Sequence, residues 1–289
     1  MAAVTGVLGP LDGTALTARL SIVLIGTVIA ALGAAVREAQ FDRLQALDDA
    51  VALRVAFERA LAPAPIAPPG FRAVSRYEPA EARMHLGGDF VEGVALTDGR
   101  FAVLIGDVCG HGPREAAFGS ALRAGWKAIA LGGGDPVEWV ESLEAAFFRD
   151  GRIDTYATVC TGWMDRNANL TRLVTLGHPP PITVSGRPTV LDVAPAPPLG
   201  IGMHDRVVAT DIRWTGCPLL FYSDGLIENP RRGGDRPERW GIDGLLGWLA
   251  AQQTHSDIDR VADDLVAAAL QDREQRDDVA VLIVAGATS

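Results

Sequence analysis

The chain has 289 residues, 48% of them apolar and 21% charged, which excludes a disordered protein and allows one large core or two small ones. A net charge of −10 with a single lysine, Lys127, argues against nucleic acid as a partner, because phosphate binding needs clustered cations. Three cysteines (Cys109, Cys160, Cys217) form no CxxC pair and point to a reducing compartment, not to a disulfide framework.

Residues 1–19 form a short tail. Residues 20–36 contain no charge and no proline, and Arg19 and Arg37 flank them. At about 1.5 Å per residue this run is slightly short of a bilayer core of about 30 Å, and the flanking arginines can snorkel to the interfaces. The sequence predicts a single transmembrane helix here. A buried core helix or a signal peptide are the alternatives, and a signal peptide fits poorly because its basic n-region is weak. Arg19 alone precedes the run, whereas Arg37, Arg43, Arg54 and Arg59 follow it, so the positive-inside rule leaves the rest of the chain in the cytoplasm. Within 37–61, Phe41, Leu44, Leu47, Val51 and Val55 recur at helical spacing. Such an amphipathic helix pairs with a copy of itself or lies on the domain. Residues 62–70, rich in proline, end it and read as a stiff extended linker and domain boundary.

Strands dominate the remaining 71–289. Phe71 to Tyr77, Asp89 to Leu96 and Arg100 to Gly106 read as strands, the last two joined by the turn Thr97-Asp98-Gly99. Helices are predicted from Pro113 to Leu131, ending at Gly132-Gly-Gly134, and from Pro136 to Arg149 with Asp135 as N-cap. Thr155 to Met164 and Leu170 to Leu176 form a further hairpin, followed by strands at Ile182–Val184, Val190–Val193, Arg206–Trp214 and Leu219–Tyr222. Helices at Ile242–Gln252 and Ile258–Gln271 precede a last strand from Val279. This order predicts an α+β fold, antiparallel sheets with helices packed on their outer faces.

The chemistry is carried by acids at the ends of apolar runs. Asp107 closes Phe101-Ala-Val-Leu-Ile-Gly106, Asp224 closes Leu219-Leu-Phe-Tyr-Ser223, Asp277-Asp278 opens the run from Val279, and Asp89 follows Gly87-Gly88. A carboxylate at the end of a buried strand costs several kcal/mol unless a cation compensates it. Several converging carboxylates repel, so a divalent metal is the economical partner, and an all-oxygen set selects Mg²⁺ or Mn²⁺ over Zn²⁺. Two such ions about 4 Å apart can orient water for in-line attack on phosphorus. Walker A, H-E-x-x-H and G-x-S-x-G motifs are absent from the sequence. Cys109 sits beside an acid that would raise its pKa, which disfavours a nucleophile. His111 and His178, in Gly-His-Gly and Gly-His-Pro, are read as hydrogen-bonding loops beneath the site; His85, His204 and His255 carry no local signal.

Six segments in order, Leu86-Gly-Gly-Asp-Phe90, Gly106-Asp-Val-Cys-Gly-His-Gly112, Gly177-His-Pro-Pro-Pro181, Pro198-Leu-Gly200, Tyr222-Ser-Asp-Gly225 and Asp277-Asp-Val279, resemble bacterial metal-dependent serine/threonine phosphatases of the protein phosphatase 2C type. The branch resembled is that of the stage II sporulation phosphatase and the sigma-factor-regulating phosphatases, over residues 71–286. The resemblance implies an α-β-β-α sandwich and two Mn²⁺ or Mg²⁺ ions. It implies Asp89 as the acid that orders the metal site, Asp107 as the ligand bridging both metals, and the Val108 carbonyl as a further ligand. Asp224 and Asp277 would hold one metal from the other half of the sandwich, with the adjacent Asp278 ranked second. Cys109 departs from the pattern, where a small hydroxyl residue is usual, and His111 lies four residues after Asp107, not the two at which eukaryotic relatives place an acid histidine. The implied substrate is a phosphoserine or phosphothreonine on a regulatory protein such as an anti-sigma-factor antagonist. The implied assembly is a homodimer signalling through the 37–61 helix. The first 19 residues are too few for an extracellular sensor, so a stimulus is expected through the membrane helix or a partner. The competing readings are a catalytically inactive interaction module on the same fold and a membrane-anchored scaffold whose helix at 37–61 is the working part.

Overall fold

The computed structural model describes residues 13–61, 63–80, 87–110, 112–149, 155–202, 207–230, 239–252, 257–271, 275 and 277–287. The chain divides into two units, Met1–Val55 and Ala56–Ser289. The first is built on α1 (Gly13–Leu61), which is continuous through the change from uncharged to amphipathic sequence. Within α1, Ser21–Asp49 is long and apolar enough to cross a membrane, with a mean hydropathy of 1.8. Ile22, Leu24, Ile29 and Leu32 are exposed along it.

The second unit contains β1 (Phe71–Glu78), β2 (Phe90–Ala95), β3 (Phe101–Val108), α2 (Pro113–Leu131), α3 (Pro136–Arg149), β4 (Ala157–Asp165) and β5 (Leu170–Leu176). It continues through β6 (Ile182–Thr183), β7 (Pro195–Ala196), β8 (Thr210–Arg213), β9 (Leu219–Tyr222), α4 (Gly225–Glu228), α5 (Gly241–Ala251), α6 (Ile258–Leu270) and β10 (Val279–Gly286). One sheet runs β2-β3-β4-β5-β7, with β8 also paired to β5; the other runs β1-β10-β9-β6. Their pairs are antiparallel except for the short parallel match of β5 with β7.

The layering follows from alternation along the strands, since successive side chains face opposite sides of a sheet. On β3, Ala102 and Leu104 enter a core shared with Trp126 of α2 and Trp139 of α3. Phe101, Val103 and Ile105 enter the gap between the sheets, opposite Phe221, Leu282 and Val284. On β10, Val279, Val281 and Ile283 pack outward against Leu249 of α5 and Leu265 of α6. Two faces are therefore buried on each central strand, which is why these strands read as continuous apolar runs. The result is helices, sheet, sheet, helices: the α+β sandwich expected from the sequence.

Local departures are small. Val190 makes only an isolated bridge to Ile182, and the strand expected over Arg206–Trp214 is reduced to β8, its first residue, Arg206, lying outside the described residues. The proline-rich stretch is not free of the domain: Ile66 bridges Val94, and its N–H donates to the Gly93 carbonyl at 2.9 Å along the edge of β2. Asp135 caps α3 by accepting from the Val137 N–H at 3.1 Å.

Candidate acidic centre between the sheets

The strand register brings the acids together. Inward-facing positions on β2, β3 and β10 include Val91, Ile105 and Ala280. Two residues beyond each, at the same end of the gap, stand Asp89, Asp107 and Asp278. An offset of two keeps them on the inward face. Ser223, two residues after inward-facing Phe221, points the same way, and Asp224 and Asp277 follow at the adjoining strand ends. Antiparallel pairing of β2 with β3 and of β9 with β10 puts the start of one strand beside the end of its partner.

Two glycines let the chain pass between the acids. A Cβ on Gly87 would lie 0.8 Å from an Asp278 carboxylate oxygen, and one on Gly88 would lie 2.4 Å from the Val108 carbonyl oxygen and 2.7 Å from Asp107 Oδ1. Residues 81–86 lie outside the described residues, as do His85, His111, His204, His255 and Arg276.

The acids differ in how they are satisfied. Asp278, buried, accepts from the Tyr77 hydroxyl at 2.8 Å and from the Ala80 N–H at 2.7 Å. Asp277 is exposed; its carboxylate accepts from the Asp278 N–H at 2.9 Å, and its own backbone N–H donates to Asn229 Oδ1 at 3.0 Å. Asp89 is 1% exposed, and its Oδ2 has no donor among the described residues. Burial, then the charges of Asp107 and Asp278, push the Asp89 carboxyl well above the usual range, against the pull of a Ser223 hydrogen bond. Burial and the charges of Asp224, Asp277 and Asp278 push Asp107 up to about 8. Burial, Asp277 and Glu228 push Asp224 up to about 6.

Among the described residues, no lysine or arginine figures in the groups acting most strongly on these three acids. Elsewhere buried acids are compensated: Glu92 pairs with Arg123 and Lys127, and Glu144 accepts from the Gly200 and Gly202 N–H groups at 2.7 and 3.1 Å. An orphaned oxygen on Asp89 beside mutually repelling carboxylates is the chemistry of a hard-cation site, and the donor set fits Mg²⁺ or Mn²⁺. Among the described residues no three acidic, histidine or cysteine groups enclose a common point as they stand.

Three supporting residues were not legible from local sequence. Ser223 accepts from the Ala280 N–H at 2.9 Å while bonding Asp89. Asn229 Nδ2 donates to the carbonyls of Gly225 and Asp277 at 2.8 and 3.2 Å, which pins Asp277 to the turn after Asp224. Tyr77 is the third. Only the small Ser223 sits inside a quoted motif. Cys109 is exposed, its N–H bonded to the Tyr156 carbonyl at 2.9 Å. His178, 4% exposed, lies under the site as a hydrogen-bonding group, which agrees with its expected part in a loop.

A sequence model of the family described as stage II sporulation protein E (SpoIIE) matches residues 97–285. Among solved structures, the RsbU and RsbW domains of a Mycobacterium tuberculosis protein are 28% identical with a TM-score of 0.65, the match covering 79% of this chain and 63% of that one. The PP2C domain of SiaA from Pseudomonas aeruginosa is 17% identical with a TM-score of 0.66, covering 86% of this chain and 99% of that one. The PP2C phosphatase domain of SpoIIE from Bacillus subtilis, with a fragment of its regulatory domain, is 18% identical with a TM-score of 0.60, covering 74% and 63%. The chain thus spans less than two thirds of the first and third of these.

Proposed function

Because the chain belongs to the stage II sporulation protein E family and has the fold of a PP2C-type serine/threonine phosphatase domain, we propose that it is a metal-dependent phosphoprotein phosphatase. The observation that carries this reading is the gathering of acids, Asp89 with an oxygen that has no donor among the described residues and Asp107 and Asp224 with raised pKa values, with no lysine or arginine among the described groups acting most strongly on them.

In this reading Asp107 and the Val108 carbonyl serve from one sheet, with Asp89 beside them, and Asp224 and Asp277 serve from the other. Asp278, held by Tyr77 and Ala80, is the adjacent group that orients this end of β10. A bound pair of Mn²⁺ or Mg²⁺ ions supplies an activated water for in-line attack on phosphorus. The chain's own residues hold that pair, orient it and keep its inner side dry through the apolar core behind Asp107. The substrate is a phosphoserine or phosphothreonine protein, with an anti-sigma-factor antagonist the class implied by the family.

We further propose that residues 20–36 span the membrane, that the catalytic domain is cytoplasmic, and that 37–61 mediate homodimerisation. The exposed apolar residues of Ser21–Asp49 support a lipid environment. Retention of the chain in membranes after an alkaline carbonate wash is the expected result, and its release would remove the span.

Hydrolysis of a generic aryl phosphate by the full chain in detergent, with Mn²⁺ and with chelator, tests the activity. Metal-dependent turnover that disappears in Asp224→Asn is expected. Equal turnover in both proteins would remove Asp224 as a ligand.

A further inference from the structure

We propose that His178 is a positioning residue whose imidazole fixes the separation of the two halves of the acidic centre, tying β4 beside Asp107 to β9 before Asp224. The inference rests on the reading of Asp107 and Asp224 as ligands of shared cations.

The partners of the ring dictate its tautomer. Nε2 lies 3.1 Å from the Tyr222 carbonyl oxygen, which can only accept, so Nε2 carries the hydrogen. Nδ1 is then an acceptor, and the Thr158 hydroxyl at 2.9 Å donates to it. Thr158 is the cross-strand partner of Asp107, and Tyr222 stands two residues before Asp224. A continuous line of hydrogen bonds and backbone therefore joins one acid to the other across the gap.

The ring does a job the strands do not. β6 pairs with β9 only at Leu219 and Leu220, so beyond the end of that ladder His178 serves the Tyr222 carbonyl. The loop that carries it is fixed from both sides. The Thr175 hydroxyl donates to the His178 carbonyl at 2.6 Å, and the Gly177 N–H donates to Ala196 at 2.8 Å. Burial lowers the imidazole pKa to about 3, so the ring is neutral and keeps both bonds at working pH. At 4% exposure it has no route to a substrate and is not an acid catalyst.

The middle of the gap is filled by apolar side chains such as Ile105, Phe221 and Leu282, with Ser223 bonding Asp89 at the acidic end and Arg166 donating to the Gly70 and Ala287 carbonyls at the far end. Apolar packing is non-directional and leaves small sliding motions open. A ligand set divided between two sheets needs its atoms held within about 0.5 Å, and repulsion among the acids acts to widen the gap. A rigid imidazole with two directed bonds supplies that constraint at the end where the acids stand.

The test measures Mn²⁺ affinity by the electron paramagnetic resonance signal of free ion, on the full chain in detergent, with melting of the metal-free protein in parallel. The variants are Thr158→Val, which deletes only the donor to Nδ1, His178→Leu, and His178→Gln, which restores a donor and an acceptor. Phe101→Leu, at the far end of the same gap, controls for general loss of stability. Loss of an orienting partner behind a metal site weakens binding by about 10–100-fold. That loss is expected in Thr158→Val and His178→Leu, with partial recovery in His178→Gln and none of it in Phe101→Leu. Unchanged affinity in Thr158→Val and His178→Leu, or an equal loss in Phe101→Leu, would overturn the positioning role and leave the phosphatase reading intact. Absence of Mn²⁺ binding in the unaltered chain would overturn both.

Discussion

The two faces of β2 treat a buried acid in opposite ways. On the helix-covered face Glu92, 0% exposed, is met by Arg123 and Lys127 of α2. On the face toward the other sheet Asp89, 1% exposed, is met by Asp107 and Asp278, which repel it. The protein therefore neutralises one buried carboxylate with cations of its own, whereas at the end of the inter-sheet gap the described residues offer Asp89 none. Such local breaches of folding logic concentrate at functional sites, and the proposed cation site rests on this one.

The comparison can be broken most forcefully at Asp107. Replacing it by Asn keeps the shape and removes a charge; a metal contributes several kcal/mol to the transition state, so turnover should fall by about 10³-fold. Retained turnover in a steady-state assay would place the chemistry elsewhere. On the compensated face, Glu92→Gln leaves Arg123 without its anion. Breaking a buried pair costs about 3–5 kcal/mol, and the partial exposure of Lys127 points to the low end. A denaturant titration should show that loss with little change in Mn²⁺ affinity. Asp89→Asn should do the reverse in metal-free protein, raising stability by on the order of 1 kcal/mol through removal of a repelled charge. A destabilised Asp89→Asn would mean that a cationic group compensates the acid and the contrast fails.

The most gradual effect is in pH. The folded pKa of Asp107, about 8, lies above its unfolded value of 3.8, so the folded chain binds the extra proton. Its stabilising contribution is complete below about pH 4 and is lost as pH rises through 8. Asp224, raised to about 6, adds the same sign at lower pH. His178 opposes it, since a buried neutral ring is favoured only above its unfolded pKa of 6.5. Between pH 6.5 and 8 the carboxyls govern: metal-free stability should fall by up to about 1.4 kcal/mol per pH unit. Saturating Mn²⁺ should abolish the fall in thermal melts, and a rise over the same interval would contradict the assignment.

Much of this arrangement was legible in the sequence because its signals are local. Pro113 and Pro136 start helices where proline is tolerated, and strands buried on both faces appear as uninterrupted apolar runs ending in Asp107 and before Asp224. What stayed hidden depends on residues distant in the chain. Tyr77 reaches Asp278 across 201 positions, and the imidazole of His178 meets Tyr222 across 44. α4 spans four residues, too few for a helical period to register. The strand expected at Val190–Val193 has apolar residues but only the bridge at Val190, since β9 is the strand beside β6 and short loops carry the rest. Glu92 sat unremarked within a strand whose partner cations lie 31 and 35 residues away on α2.

The claim beneath all of this is that carboxylates from the two sheets share hard cations. Calorimetric titration of the full, metal-free chain with Mn²⁺ tests it without reference to any substrate. The account predicts two ions per chain, and a lost site in Asp224→Asn with the fold retained. Heats no larger than those of dilution, in a protein that melts cooperatively, would contradict it.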